Sequence, residues 1–179
     1  MLKSKNFFIT FLFVSYFSVA QNRIIFKEIK NTSDCHNCSG KLVVSNGIKT
    51  DTIYGGEWGN PPSYHLKNID GNDMLIVDTT YSFAGGEKRM YLQLYSLNDN
   101  SFLNKIFEKD ILLYSERNVN ENGISTNYTY KNNPIINYQK PIKITNQITR
   151  GKCPEVNNIP CIMLKKYNKV NYFWSPFVK

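Results

Sequence analysis

Cys35-His36-Asn37-Cys38 is the tetrapeptide of this chain best equipped for chemistry. Two thiols at this spacing can close a local disulfide. They can act as a redox couple when a helix N-terminus lowers the first thiol's pKa, or supply half of a tetrahedral zinc site. The redox reading needs a helix after the motif. Ser39-Gly40 follows instead, and Leu42-Val43-Val44 reads as strand. The zinc reading needs a second close pair, but Cys153 and Cys161 enclose the longer PEVNNIP loop. Covalent haem needs a histidine after the second cysteine, where Ser39 stands. Structural bridging is the favoured reading. Local pairs, Cys35 with Cys38 and Cys153 with Cys161, are preferred over the other connectivities that four cysteines allow.

The loop Gly55-Gly56-Glu57-Trp58-Gly59-Asn60-Pro61-Pro62 is the most site-like stretch. Glycines let a backbone approach a ligand, and prolines fix the direction in which the chain leaves. Trp58 flanked by Tyr54 and Tyr64 can stack on a sugar or anchor a protein partner, and Glu57 adds a carboxylate. The bland alternative is that Trp58 plugs one end of a β core and the glycines only make a turn. These four residues, Glu57, Trp58, Tyr54 and Tyr64, form the candidate ligand-binding set. No residue is assigned a catalytic role and no metal ligands are assigned.

Other titratable residues are less pointed. His65 sits in an expected strand without a positioned partner, so it reads as structural. Asp70, Asp73 and Asp78 offer carboxylates to a hard cation, which takes six or more oxygens, but their spacing fits no helix-loop-helix site. A glycosidase pair of Glu57 with Asp73 or Asp78 has nothing in its spacing to favour it. No Ser-His-Asp order, phosphate loop or zinc-protease helix is present. Asn31, Asn37 and Asn127 match the glycosylation pattern, which counts only in a host that glycosylates.

The elements that must carry these residues read as strands. Expected strands are Arg23 to Ile29, Lys41 to Ser45, Ile48 to Tyr54, Tyr64 to Ile69, Met74 to Val77 and Lys88 to Leu97. Asn46-Gly47 predicts a tight hairpin between the second and third. Met74 to Val77 is uniformly apolar, as a strand covered on both faces would be. In Lys88 to Leu97, Met90, Leu92 and Leu94 alternate with Tyr91, Gln93 and Tyr95. Asn98-Asp99-Asn100 reads as a turn. The next segment, 101–114, fits a returning strand or a helix, and its aromatic and β-branched flanks favour the strand. Later expected strands are Ser125 to Lys131, Ile135 to Tyr138, Pro141 to Ile148, Cys161 to Tyr167 and Lys169 to Trp174. Asn132-Asn133-Pro134 and Tyr167-Asn168 are read as breaks between them. Together they predict a mainly β single domain of short antiparallel strands with little helix: a sandwich, a barrel or a partial propeller-like meander.

Asp70-Gly71-Asn72-Asp73 leads into Met74 to Val77, then the Gly85-Gly86 loop and Lys88 to Leu97. Residues 70–97 thereby resemble one repeat of the FG-GAP type found in β-propellers. The resemblance implies an acidic turn feeding an apolar strand, with calcium as a frequent ligand of such loops. One copy implies a β-meander here, since a propeller needs about four blades or more.

The first residues set the compartment. Lys3 and Lys5, the apolar run Phe7 to Phe17 and Ser18-Val19-Ala20 have the three-part layout of a secretory signal peptide. Residues 1–20 are therefore expected to be removed, leaving 21–179 as one exported domain, periplasmic or secreted, where thiols tend to pair. The run is too short to span a bilayer and no later segment is longer, so no transmembrane segment is expected in the mature chain. The full chain carries +8; loss of Lys3 and Lys5, with no acid among residues 1–20, leaves +6. The basic residues are scattered, with a denser tail at Lys165, Lys166, Lys169 and Lys179; the modest excess suits an anionic partner, and the bland alternative is simply a soluble surface. An exported chain without a nucleic-acid motif is not expected to bind nucleic acid. No cofactor is expected. The leading reading is a non-enzymatic, disulfide-stabilised binding protein of the envelope or exterior, with a protein or glycan partner. The alternatives are a hydrolase of envelope or extracellular polymers, with Glu57 or Asp73 as acid/base, and a thiol–disulfide redox protein using Cys35 and Cys38.

Overall fold

The computed structural model describes residues 24–31, 39–97, 102–154 (only the backbone of Cys153 and Pro154) and 165–173. The expected signal peptide, Cys35, Cys38, Cys161 and the Asn98–Asn100 turn lie outside these residues. The described residues form ten antiparallel strands in two sheets and no helix. They are β1 (Ile25–Ile29), β2 (Gly40–Ser45), β3 (Thr50–Gly55), β4 (Ser63–Ile69) and β5 (Asn72–Phe83). There follow β6 (Glu87–Ser96), β7 (Asn104–Glu121), β8 (Ile124–Asn137), β9 (Ile142–Pro154) and β10 (Lys165–Phe173). β1-β2-β3 make a small sheet, and β10-β9-β8-β7-β6-β5-β4 a large one, each a meander in chain order. The mainly β class is as the sequence implies, and the ambiguous segment after Phe102 is strand. No helix long and apolar enough to cross a membrane occurs among the described residues.

Two-residue turns set much of the register. Asp70-Gly71 and Asn122-Gly123 both take positive φ at each residue, the type I′ geometry that matches strand twist. Asn46-Gly47 behaves differently. Ser45 pairs with Thr50, so a four-residue loop joins β2 to β3 rather than a tight turn. The Asn46 side chain holds this loop, its Oδ1 accepting from the N–H groups of Ile48 (3.0 Å) and Lys49 (2.7 Å).

Two expected breaks are not breaks. β8 runs unbroken through Asn132-Asn133-Pro134, and β10 through Tyr167-Asn168. The proline is tolerated because the β7–β8 ladder stops at Tyr114↔Lys131, leaving β8 with β9 as its one ladder neighbour. Asn132 is buried, and its Nδ2 donates to the Leu112 carbonyl (3.1 Å) and Asn146 Oδ1 (2.9 Å). Asn168 pairs with Gln147 within a continuous β9–β10 ladder.

The described residues form two cores. In one, Ile69, Met74 and Ile76 of β4–β5 pack with Leu92 and Leu94 of β6, Ile111 of β7, and Ile142 and Ile144 of β9. Three strands lie between β5 and β9 in the sheet, so this contact requires the sheet to curl into a half-barrel. Register shifts in the β6–β7 ladder at Lys88/Arg89 and Leu94/Tyr95 supply local bends. In the other core, Leu42, Val44 and Ile53 of the small sheet cover Leu75, Val77 and Tyr95 on the opposite face of β5–β6, with Phe102 beside them. Met74 to Val77 is thus buried on both faces.

Candidate functional site

The Glu57–Asn60 turn joins the small sheet to β4. Asn60 N–H donates to the Glu57 carbonyl (3.0 Å), and Trp58 and Gly59 have φ of 55° and 73°. This is a type I′ turn with tryptophan where asparagine or glycine is usual. A bulky residue at positive φ carries a steric cost, because its Cβ crowds the backbone. The turn is held from both sides. Asn31 N–H donates to the Gly59 carbonyl (2.7 Å), and Gly40 N–H to the Asn60 carbonyl (2.9 Å). A Cβ on Gly56 would lie 2.0 Å from the Asn60 oxygen, so glycine is required for this close approach. Trp58 is nevertheless 64% exposed. Next to it, Glu57 buries Oε1 with no hydrogen-bond partner among the described residues. Two adjacent residues therefore carry local costs, a positive φ at Trp58 and a buried oxygen at Glu57, which the hydrogen bonds around the turn must offset.

The small sheet stops short of the far end of β5. Beyond Val77, the same face of β5 carries Thr79, Tyr81 and Phe83, facing Tyr91 and Gln93 of β6. With Tyr54 at the end of β3, these residues line a groove of about 370 Å³. Tyr81 and Tyr91 meet edge to face at 5.3 Å, and Phe83 and Tyr54 are exposed. The Tyr81 hydroxyl lies against Gly55 and hydrogen-bonds the Gly56 backbone. Burial pushes the Tyr81 phenol upward; the Gly56 bond opposes this, and the charges of Tyr91 and Glu57 add to it. The Gly55–Glu57 segment thus stands beside the aromatic groove, and Trp58 follows it in the turn.

The candidate set divides. Glu57, Trp58 and Tyr54 belong to this region, with Lys41 Nζ 5.5 Å from the Tyr54 ring centroid. Tyr64 does not join them. It is partly buried in the second core, stacked on Phe26 of β1 at 4.9 Å. Burial raises its phenol pKa first, then the charge and hydrogen bond of Glu28. Tyr81, Phe83 and Tyr91 were missed. Their alternation along β5 and β6 is visible in the sequence, but its exposure depends on where the small sheet ends.

The carboxylates do not converge. Asp73 lies at the Asp70-Gly71 end of β5, accepting from Asn68 Nδ2 at 2.8 Å. Glu57 lies near Tyr81. Asp73 and Tyr81 are separated by about 27 Å along the strand, at ~3.4 Å per residue, against the ~5–9.5 Å of glycosidase pairs. Asp78 points to the other face of β5 from Tyr81, because side chains alternate along a strand. No group of three or more His, Cys, Asp or Glu fit to hold a metal occurs among the described residues.

No family model matches the chain, and no curated protein and no solved structure matches it significantly.

Proposed function

We propose that this is an exported, disulfide-stabilised β domain that acts by binding, engaging a protein or glycan partner through the Glu57–Asn60 turn and the adjoining aromatic groove. One observation carries the reading: Trp58 is held exposed, at a backbone angle that costs stability, on a turn pinned by two backbone hydrogen bonds. A tryptophan that only plugged the core would be buried. Strain maintained at an exposed aromatic points to pre-organisation for a partner. Tyr54, Phe83 and Tyr91 extend the apolar surface, and Glu57 supplies an acceptor beside it. Export rests on the signal-peptide layout, and the bridges on the compartment it implies.

The test is retention of the mature protein on envelope and extracellular fractions of the producing cell. Trp58→Ala and the double variant Tyr54→Ala/Phe83→Ala should abolish retention while both proteins stay folded. Protease treatment of the fractions abolishes it for a protein partner, and glycosidase treatment for a glycan. Retention that survives both variants refutes the reading.

A further inference from the structure

A second concavity lies on the other face of β5 and shares no residue with the aromatic groove. It opens where the large sheet parts. The β7–β8 ladder ends at Tyr114↔Lys131, while β8 continues to Asn137 paired with β9. The resulting cleft holds about 700 Å³, within the ~300–1,000 Å³ of small-molecule pockets.

Its lining is chemically mixed. Asp78 enters from β5, Lys88 from β6, Lys131 and Asn133 from β8, and Gln147 and Thr149 from β9. Met90, Leu113 and Ile136 supply apolar wall, and the first core packs directly behind them. Tyr138 closes the end nearest β4, where the His65 ring meets it edge-on at 6.1 Å and Lys67 Nζ lies 5.0 Å from its centroid. Burial pushes the Tyr138 phenol up to about 12, with the Asp78 charge adding to it. Burial likewise raises the Asp78 carboxyl, opposed by His65. Asn132 lines the cleft, is 6% exposed, and donates twice through Nδ2, while its Oδ1 is buried with no partner among the described residues.

Each simple ligand class leaves something unmet. An apolar ligand would desolvate Asp78, Lys88 and Lys131 without compensation. A dianion would face Asp78, and a cation would face both lysines. A neutral molecule dense in hydroxyls fits all of them. Hydroxyls donate to a carboxylate, accept from ammonium groups, do both with amides, and leave C–H faces for the apolar wall and the tyrosines.

We infer that the cleft bounded by Asp78, Lys88, Lys131 and Tyr138 is a binding site for a short neutral saccharide. The carboxylate accepts from vicinal hydroxyls, the two lysines donate to ring or hydroxyl oxygens, and Tyr138 covers one face of the sugar. This site is separate from the Trp58 surface and does not depend on it.

The experiment is calorimetric titration of the mature protein with neutral disaccharides of glucose, galactose and N-acetylglucosamine, with an aliphatic carboxylate and a quaternary amine as controls. At least one disaccharide should saturate and the controls should not. Asp78→Asn should weaken that binding about tenfold or more, since it removes a charged acceptor. Gln147→Trp, at an exposed wall position, should block it while the thermal midpoint stays near that of the parent protein. The inference is overturned if no disaccharide saturates up to about 10 mM, if binding survives both variants, or if a control binds as well as the sugars. It is also overturned if Trp58→Ala abolishes binding and Asp78→Asn does not, which would place the sugar at the turn.

Discussion

The two halves of β5 are one strand put to different uses. From Met74 to Val77 every side chain is buried, the even positions in the half-barrel core and the odd ones beneath the small sheet. From Asp78 to Phe83 the same alternation continues, but the cover thins: Thr79 is still buried, and the residues beyond it are not. Asp78 turns to the cleft, and Thr79, Tyr81 and Phe83 to the aromatic groove. The strand is regular throughout; what changes is where its covering layers end. A continuous ladder from core to surface holds both concavities rigidly, which suits binding sites better than loops would.

The contrast can be broken at its strongest point first. Leu75→Ala or Ile76→Ala, both fully buried, should cost about 2–5 kcal/mol, measured by denaturant unfolding. Phe83→Ala, on the same strand, should change stability by less than about 1 kcal/mol, since its ring is 45% exposed. Equal losses would mean the two halves do not differ as described.

Gly56→Ala should cost about 1–3 kcal/mol, because the new Cβ meets the Asn60 backbone and φ is +92°. A neutral result would show that the turn is not held as described. Trp58→Asn should do the opposite and stabilise the protein by roughly 1 kcal/mol, while abolishing partner retention. Destabilisation by this change would instead make Trp58 a structural residue.

The smallest expected effect is at Asp78. Its carboxyl pKa is raised in the folded state, so its contribution to stability is full below the ordinary value of 3.8 and is lost as pH rises through the folded value. Asp78→Asn should remove that decline and flatten the stability profile on the acidic side. An unchanged slope would mean that the cleft leaves Asp78 solvated.

Much of the fold was legible because it follows local rules. The uniform Met74 to Val77 run announced burial on both faces, and the alternation from Lys88 placed Met90, Leu92 and Leu94 in one core and Tyr95 in the other. Asn122-Gly123 carries the same hairpin signal as Asn46-Gly47, yet its turn is the tighter one. Asn46 spends its side chain capping a longer loop, which a dipeptide rule does not show. Pro134 misled for a nonlocal reason: it is compatible with β8 because the β7 ladder has already ended. The turn around Trp58 was identifiable from its glycines. The groove was not, because Tyr81, Phe83 and Tyr91 become a surface only where the small sheet stops. Tyr64, close to Trp58 in sequence, lies away from the groove: it stacks on Phe26 of β1 and lines a separate concavity with Pro61 and Pro62.

The chain-order meander of the large sheet also has a kinetic meaning. Every ladder from β4 to β10 joins strands adjacent in sequence, so each closes over a short stretch of chain with little loop-closure entropy. Closing the half-barrel is different. Ile69 and Met74 must meet Ile142 and Ile144 across roughly seventy residues of chain, the kind of distant contact that slows folding. Assembly therefore divides into quick local hairpins and one slow closure, and the cleft beside Asp78 takes its shape only when that closure is complete.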